Sequence, residues 1–402
     1  MKLRYQYRIY PNKRQQTDLA KLFGCCRVVW NSALATIKVI PKGDKWPKNS
    51  ELQRLCITQA KASKEWLSEV SVVALQQSVI DLGTALKNFF ESRKGNRKGK
   101  PVGFPRFKKR DNRQSARFTQ RGFSLKGNKV YLAKIGTVKI KWSRPLPSEP
   151  SSVTVIKDRQ NHYYLSFVVE SDPAMEPAPN PSIGIDLGIK TFAFTSAGDA
   201  VKAPDYSQLN RKLRRAQRVL SRRHKGSKRR ERARLRVAKL KAKIRNKRKD
   251  FLHKTTTQWI RDNQVLCFED LNVSGMVKNH RLARAISEQG WRECRTLSEA
   301  KATMYGRKVQ VIDRWEPTSQ YCSTCGYSWG KLDLSVREIK CLGCGTLHDR
   351  DGNAAQNINH VGVGHIHDSK INGCGSTCKT GLPAGCVEPS NRLVEEQLSL
   401  LL

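Results

Sequence analysis

Apolar positions alternate over residues 3–9, with Tyr5 and Tyr7 on one face, and predict a first strand that Pro11 ends. A helical pattern starts in residues 15–23. Apolar residues recur at helical spacing through Leu52, Leu55, Ile57 and Ala60, then through Val73, Leu75, Val79, Leu82, Leu86 and Phe89. Residues 93–110 read as a Gly-rich basic loop. Strand patterns follow at 128–142, 153–157 and 162–169, so residues 1–170 read as a strand-rich unit with a helical insertion. Pro173, Pro177, Pro179 and Pro181 punctuate a short linker and mark the expected domain boundary. Beyond it, 182–187 and 191–196 predict a hairpin around Gly188, and 265–268 a short buried strand. Trp291, Cys294, Leu297 and Met304 lie on one helix face, with Gly306 placed as its C′ residue, and 308–315 reads as another strand. Strands interleaved with helices in this order predict an α/β domain. Residues 362–402 show little pattern, many glycines and a Leu-rich end, and a mobile tail is expected there.

Charge adds a partner to this picture. The 402 residues hold 76 Lys and Arg against 34 Asp and Glu, a net charge of +42, and only 38% are hydrophobic. Self-repulsion on this scale disfavours a compact isolated chain unless a polyanion screens it, which points to nucleic acid and away from a small-molecule enzyme. The charge is uneven: residues 51–90 sum to zero and suit packed helices, whereas 211–250 carry 21 Lys and Arg against only Glu231 and Asp250. There is no apolar run of about 18 residues, so no spanning helix is expected. The opening Met1-Lys2-Leu3-Arg4-Tyr5 lacks the apolar stretch of a secretory signal.

Cysteine spacing predicts a metal in a reducing cytosol rather than a disulfide framework. Cys322-x-x-Cys325 and Cys341-x-x-Cys344 are separated by fifteen residues, and Gly326 and Gly345 after each pair let the backbone bend so both thiolates face one ion. Four thiolates favour one closed, tetrahedral, structural zinc. Cys374, Cys378 and Cys386 are irregularly spaced and read as free thiols, while Cys25, Cys26, Cys56, Cys267 and Cys294 sit in apolar patterns and read as small core residues.

Three acids stand out. Asp186 lies inside the apolar run Ile183-Gly184-Ile185-Asp186-Leu187-Gly188, where a carboxylate is costly unless paired or metal-bound. Glu269 follows Val265-Leu266-Cys267-Phe268 at a strand end, and Asp351 precedes a helical start at Gly352-Asn353-Ala354-Ala355. Singly, a strand-end acid is more often a turn or cap residue. Three of them in a chain of this charge suit Mg²⁺ bound at a phosphodiester, because hard oxygen ligands with open positions are what that ion needs. Spacing does not separate Asp349 from Asp351. The helix start after Asp351 favours it as the ligand, held at the positive end of a helix, whereas a turn or an ion pair with Arg350 is enough to explain Asp349.

At this point the chain resembles a known family. Ile183-Gly184-Ile185-Asp186-Leu187-Gly188, Phe268-Glu269-Asp270-Leu271, Thr318-Ser319-Gln320 leading into the four cysteines, and Asp349-Arg350-Asp351-Gly352-Asn353-Ala354-Ala355 resemble the TnpB family of transposon-encoded, RNA-guided nucleases, relatives of the type V CRISPR effectors. Arg8-Ile9-Tyr10-Pro11, residues 24–31 and Gly103-Phe104-Pro105-Arg106-Phe107 resemble its N-terminal lobe, so the likeness covers nearly the whole chain. It implies a multidomain fold. A strand-rich wedge lobe would span 1–172, with a helical recognition insert at about 46–112, and 173–181 would be the linker. An α/β RuvC-like domain of ribonuclease H fold would span 182–361, with basic helices at 207–253 and an inserted zinc ribbon at about 317–348, before the tail 362–402. By position, Asp186, Glu269 and Asp351 become the catalytic acids and the ligands of two Mg²⁺ ions in two-metal hydrolysis, and Cys322, Cys325, Cys341 and Cys344 the ligands of one Zn²⁺. The order Asp, Glu, Asp fits a RuvC-like site better than a strand-joining transposase, which more usually ends on Glu. The implied partners are a guide RNA and double-stranded target DNA cut beside a short motif, in a prokaryotic cytoplasm at the nucleoid and away from membranes. Nothing identifies a protein partner.

Candidate nucleic-acid contacts follow from charge and position. Leu213, Ala216 and Leu220, then Val237, Leu240 and Ile244, lie at helical spacing among basic residues, and Gly226-Ser227 breaks the run, predicting two antiparallel helices. Two acids among 21 bases cannot form a mixed solvated face, so Arg214, Arg215 and Arg218 are assigned to phosphates of a guide–target duplex. Arg106, Lys108, Lys109 and Arg110, with Phe104 and Phe107, suit an RNA-binding loop. Gln76, beside Gln77 on the neutral helical block, is a candidate for reading adenine in the short motif, against an ordinary surface role. The competing readings are a nuclease-inactive RNA- and DNA-binding regulator, an accessory transposition protein, and a plain zinc-ribbon RNA-binding protein. The intact acid set weighs against the first and is surplus to the last.

Overall fold

In the computed structural model the alternating run at the N-terminus is a strand, β1 (Lys2–Ile9), buried on one face through Leu3, Tyr7 and Ile9. The structure describes residues 1–364 apart from 42–43, 98–100, 173–176 and 334, and the chain divides into two units meeting after Asp172. The tail from 365 onward, with Cys374, Cys378 and Cys386, lies outside the described residues.

In the first unit, α1 (Lys13–Val39) opens with a capping box in which Asn12 and Gln15 exchange side-chain and backbone hydrogen bonds. The helical block comprises α2 (Asn49–Gln53), a π-helical turn (Arg54–Gln59), α3 (Ala60–Ser63) and α4 (Val72–Arg93). The remaining strands are β2 (Gln114–Thr119), β3 (Phe123–Lys126), β4 (Lys129–Leu132), β5 (Gly136–Lys141), β6 (Ser152–Lys157) and β7 (Tyr163–Glu170). With β1 they form one antiparallel sheet in the order β2-β6-β7-β1-β5-β4-β3. Strands β2 and β3 escaped the sequence reading because Gln-Ser-Ala-Arg-Phe-Thr and Phe-Ser-Leu-Lys offer too few apolar positions to show a period. The sheet core is aromatic, with Tyr7 edge-on to Trp142 at 4.7 Å and Trp142 stacked on Phe167 at 5.8 Å.

The second unit has β8 (Asn180–Asp186), β9 (Ala193–Thr195), β10 (Ala200–Val201), α5 (Ser207–Ser221), α6 (Lys228–Asp262), β11 (Asn263–Glu269), α7 (Val273–Met276), α8 (Ala283–Gln289), α9 (Trp291–Tyr305), β12 (Lys308–Ile312), β13 (Glu338–Lys340), β14 (Leu347–Asp349) and α10 (Arg350–Gly362). Its main sheet runs β10-β9-β8-β11-β12, with β8, β11 and β12 parallel and β9 antiparallel to β8. The short strands β13 and β14 form a separate hairpin. The expected strand 308–315 stops at Ile312, because the Asp313 carboxylate accepts the Trp315 N–H at 2.8 Å and closes a turn. Helix α9 ends as expected at Gly306, whose φ of +64° is left-handed.

Helix α6 changes character along its length. Its first half is basic and largely exposed, whereas Leu252, Thr256, Trp259 and Ile260 are buried. Trp259 stacks parallel to Phe192 at 6.5 Å and meets Phe268 edge-on at 6.3 Å, so the same helix that carries the charge is rooted in the core of the sheet.

Helix α10 lies tightly on β8. A Cβ at Gly184 would overlap the Ala355 carbonyl oxygen and stand 2.6 Å from the Asn359 backbone nitrogen. Both obstacles are backbone and cannot rotate away. Gly184→Ala is therefore expected to cost about 3 kcal/mol or more and to displace α10. Thermal unfolding checks it, and a variant as stable as wild type would show that the helix yields freely.

Candidate active site and cysteine centre

Two of the three acids are placed by strand register. Phe268 pairs with Ile185 in the parallel ladder, so the next residues, Glu269 and Asp186, end adjacent strands on the same edge. Carboxyl ends of parallel strands are where open α/β sheets place ligands. Asp351 arrives from α10, one residue inside the helix. Burial, reinforced by the negative charges of Glu269 and Asp351, pushes the Asp186 carboxyl up to about 7. Glu269 is also pushed above the usual carboxylate range by burial, which a short hydrogen bond partly offsets: Thr318 Oγ1 donates to Glu269 Oε1 at 2.6 Å. The charges of Glu269 and Asp351 both act on Asp186, an unfavourable state for its ionised form that a bound cation relieves. Carboxylate oxygens are the hard donors that an ion such as Mg²⁺ takes.

Their neighbours behave differently. Asp270 is neutralised by Arg295, at 2.8 Å, and by Arg314, and its carboxyl is held low by those two partners. Asp349 is the N-cap of α10, and its Oδ1 accepts the Gly352 N–H at 2.8 Å. The helix starts at Arg350, so Asp349, and not Asp351, holds the capping position. The Asp351 carboxylate is held instead by the Arg337 guanidinium, at 3.0 and 3.2 Å. A cavity of about 230 Å³ between the end of β11 and α9 includes Glu269, Trp291 and Arg295 in its wall.

The four cysteines converge. Their Sγ atoms lie within 4.8 Å of one another, with Cys322 to Cys344 at 3.7 Å and Cys325 to Cys341 at 3.5 Å. A tetrahedron with Zn–S bonds of about 2.3 Å has edges of about 3.8 Å, so the cluster fits zinc. The three carboxylates do not gather this tightly. The two Cys-x-x-Cys turns repeat one geometry: Gly326 and Gly345 have φ of +75° and +74°, and their N–H groups donate to the Cys322 and Cys341 carbonyls at 3.0 and 2.9 Å. Backbone N–H groups of Thr324 and Gly343 point at Cys322 Sγ and Cys341 Sγ, which suits thiolate charge. The Cys344 thiol is brought down to about 6 by the hydroxyl and backbone N–H of Thr346. With the β13–β14 hairpin this arrangement fits a zinc ribbon.

The sequence reading missed the residues that join the two centres. Asn353 and Asn357, both buried on α10, donate to the Tyr321 carbonyl at 2.8 and 2.9 Å, and Asn357 also reaches the Thr318 carbonyl at 2.7 Å. The Ser323 N–H donates back to Asn353 Oδ1 at 2.8 Å. His348 lies buried with Nε2 3.0 Å from Cys322 Sγ. The signal was present in the Asn-Ala-Ala-Gln-Asn run, where two amides four residues apart share one helix face.

The basic candidates fall into different environments. Arg214, Arg215 and Arg218 are exposed on α5, with no acidic partner among the described residues. Helices α5 and α6 are antiparallel: Arg230 donates to the Leu220 and Arg223 carbonyls, and Lys247 to that of Asp205. In the first unit, Arg106, Lys109 and Arg110 are exposed. Lys108 instead sits over the Trp30 ring at 3.8 Å, and Asn31 clamps its backbone at 2.8 and 3.1 Å. It anchors the loop that presents the others. Phe104 packs edge-on against Phe89 at 5.3 Å, leaving Phe107 as the exposed aromatic. Gln76 is exposed on α4.

Comparison with known proteins gives three family matches: residues 166–280 to a family described as "Probable transposase", 291–358 to "Cas12f1-like, TNB domain", and 1–41 to "Helix-turn-helix domain". The last stretch here consists of one strand and one 27-residue helix. A Streptomyces pristinaespiralis protein named "Putative RNA-guided DNA endonuclease" is 41% identical over 370 residues, covering 90% of each chain. The Escherichia coli (strain K12) protein "Putative RNA-guided DNA endonuclease InsQ" is 30% identical over 400 residues, covering 94% of this chain and 95% of its own. A "TnpB-like protein" of Acanthamoeba polyphaga mimivirus is 27% identical over 248 residues, covering 56% of this chain and 46% of its own. Among solved structures, a Cas12f1–sgRNA–target DNA complex aligns with a TM-score of 0.49 at 16% identity, over 86% of this chain and 82% of that one.

Proposed function

The chain belongs to the TnpB family, and from that premise we propose that it is an RNA-guided, Mg²⁺-dependent endonuclease that cuts double-stranded DNA beside a short motif. One observation carries the reading: Asp186 and Glu269 end adjacent parallel strands, and Asp351 reaches the same electrostatic field from α10. The sheet order, with three parallel strands and one antiparallel neighbour, suits a RuvC-like ribonuclease H fold spanning 182–361, and 1–172 then forms the wedge lobe with its helical insert.

In this reading Asp186, Glu269 and Asp351 would hold two Mg²⁺ ions, which would supply Lewis acidity to the attacking water and to the leaving 3′ oxygen. The protein's own groups set the geometry. Thr318 fixes one Glu269 oxygen, and the other accepts no protein hydrogen bond among the described residues. Arg295 and Arg314 keep Asp270 out of the site, and Asp349 secures the helix that carries Asp351. A single site of this kind must cut the two strands in turn. No helix among the described residues is long and apolar enough to cross a membrane. In this reading the protein works where its target DNA lies, at the bacterial nucleoid.

The direct test incubates the protein with its co-purifying RNA, a matched duplex and Mg²⁺, followed by end-labelled gel analysis. RNA-free protein cutting a matched target equally fast would remove the guided reading. The basic helices give a second check. Replacing Arg214, Arg215 and Arg218 with Glu is expected to weaken RNA and target binding. It should also flatten the slope of log affinity against log salt by about 3, one unit per lost phosphate contact. An unchanged slope would move the phosphate contacts elsewhere.

A further inference from the structure

The turn that ends β12 presents one large aromatic side chain to solvent at the edge of the acid site. Trp315 is 84% exposed, although an indole is among the side chains most favoured by burial. Its backbone is not loose. Trp315 N–H donates to Asp313 Oδ1 at 2.8 Å, and Glu316 N–H donates to the Asp313 carbonyl at 3.2 Å. Beside it lies a groove of about 300 Å³ lined by Glu269, Asp270, Leu271, Asn272, Arg314 and Trp315. That volume is at the lower limit of small-ligand pockets. Arg314 is engaged with Asp270, so the polar wall is already organised.

The groove thus joins two surfaces with different chemistry: a flat π-face and the Glu269 carboxylate assigned to phosphodiester hydrolysis. The partner of a chain with a net charge of +42 is a polyanion. In a duplex the base faces are covered by their neighbours, and only an unpaired nucleotide can offer one to an indole. We infer that Trp315 is a stacking platform for one unpaired base of the DNA strand being cut, and that it positions the adjoining phosphate at Glu269. Stacking of this kind is sequence-tolerant, because every base has a π-face, and it selects single-stranded over paired DNA at the site. Trp315 is a positioning residue here, acting on the strand and not on the reacting atoms.

The inference rests on the nuclease reading, and the experiment separates the two. Full-length protein loaded with guide RNA is given targets with one abasic position moved stepwise around the cut. Wild type is expected to slow by about tenfold at one position, where the stacked base is missing. Trp315→Ala should slow on the intact target by a similar factor and show no further loss at that abasic position, whereas Trp315→Phe should keep both the rate and the abasic penalty. Target binding, measured in an Asp186→Ala background, should not change. Wild-type cleavage of the intact target establishes the nuclease reading by itself, and its absence overturns that reading. If wild type cuts and Trp315→Ala cuts equally fast, or retains the abasic penalty, the platform is wrong. A marked fall in the melting temperature of Trp315→Ala would also overturn it, by showing that the ring packs against protein.

Discussion

Asp186→Asn is expected to abolish cleavage of both DNA strands, leave RNA and target binding intact, and raise the melting temperature of the metal-free protein at pH 8. The stability gain follows from the sign of the shift. Burial first, and then Glu269 and Asp351, hold the Asp186 carboxyl up at about 7, against about 3.9 in an unfolded chain. Below the unfolded value both states are protonated and the site costs nothing. Between the two values the unfolded chain ionises while the folded one keeps its proton, so stability falls as pH rises, and above about 7 the full cost stands. Asparagine has no such cost. The difference in melting temperature between variant and wild type should therefore be near zero at pH 4, grow towards pH 7 and then level off. Mg²⁺ should stabilise wild type and not the variant, and its apparent affinity for wild type should rise with pH through 7, because ligation requires the ionised carboxyl. A pH-independent difference would show that Asp186 does not titrate as described, and a variant that still cuts would remove it from the site.

The two candidate acids of α10 extend this test. Asp351→Ala should lose cleavage, as should Glu269→Ala. Asp349→Ala should lose about 1 kcal/mol from the missing N-cap and still cut. Full loss with Asp349→Ala beside near-normal cutting by Asp351→Ala would reverse the assignment.

What could be read from the sequence depended on whether the signal was local. Cys322, Cys325, Cys341 and Cys344 announce themselves by spacing, because each turn is built within five residues. Asp186 and Glu269 stood out because a carboxylate beside Ile185 or Phe268 contradicts the burial around it. The hairpin at Gly188 and the break between α5 and α6 at Gly226-Ser227 were legible for the same reason, as turn chemistry is written in adjacent residues. What stayed hidden depends on residues far apart in the chain. Arg337 reaches Asp351 across fourteen positions, and Thr318 reaches Glu269 across forty-nine. No period encodes either contact. The inward turn of Lys108 onto Trp30 was likewise invisible, because a basic run looks uniform until the fold decides which member faces in. The reading of 308–315 as one strand failed at Asp313, where a side chain competing for the Trp315 N–H outweighed the apolar pattern.

Removing the metal from the cysteine centre should silence a site that the cysteines never touch. One zinc per chain is expected, and Cys341→Ser should lose it, because Cys341 is buried and its sulfur stands 3.5 Å from that of Cys325. Folding there is expected to be coupled to the ion, since four thiolates within 4.8 Å of one another repel unless a cation lies between them. The consequence travels through named bonds. Asn353 and Asn357 grip the Tyr321 carbonyl next to Cys322, and Ser323 N–H returns a bond to Asn353. Loosening the first cysteine turn therefore loosens α10, which carries Asp351, and Thr318, which orients Glu269 and is itself bonded to Asn357. Cys341→Ser protein, or wild type stripped by a chelator and returned to Mg²⁺, should show faster amide exchange along α10 and a cleavage rate reduced at least tenfold, a factor that corresponds to about 1.4 kcal/mol of lost positioning. Zn²⁺ should restore the stripped wild type and not the variant. Zinc-free protein that cuts at the full rate with unchanged exchange in α10 would show that the ribbon and the acid site are independent.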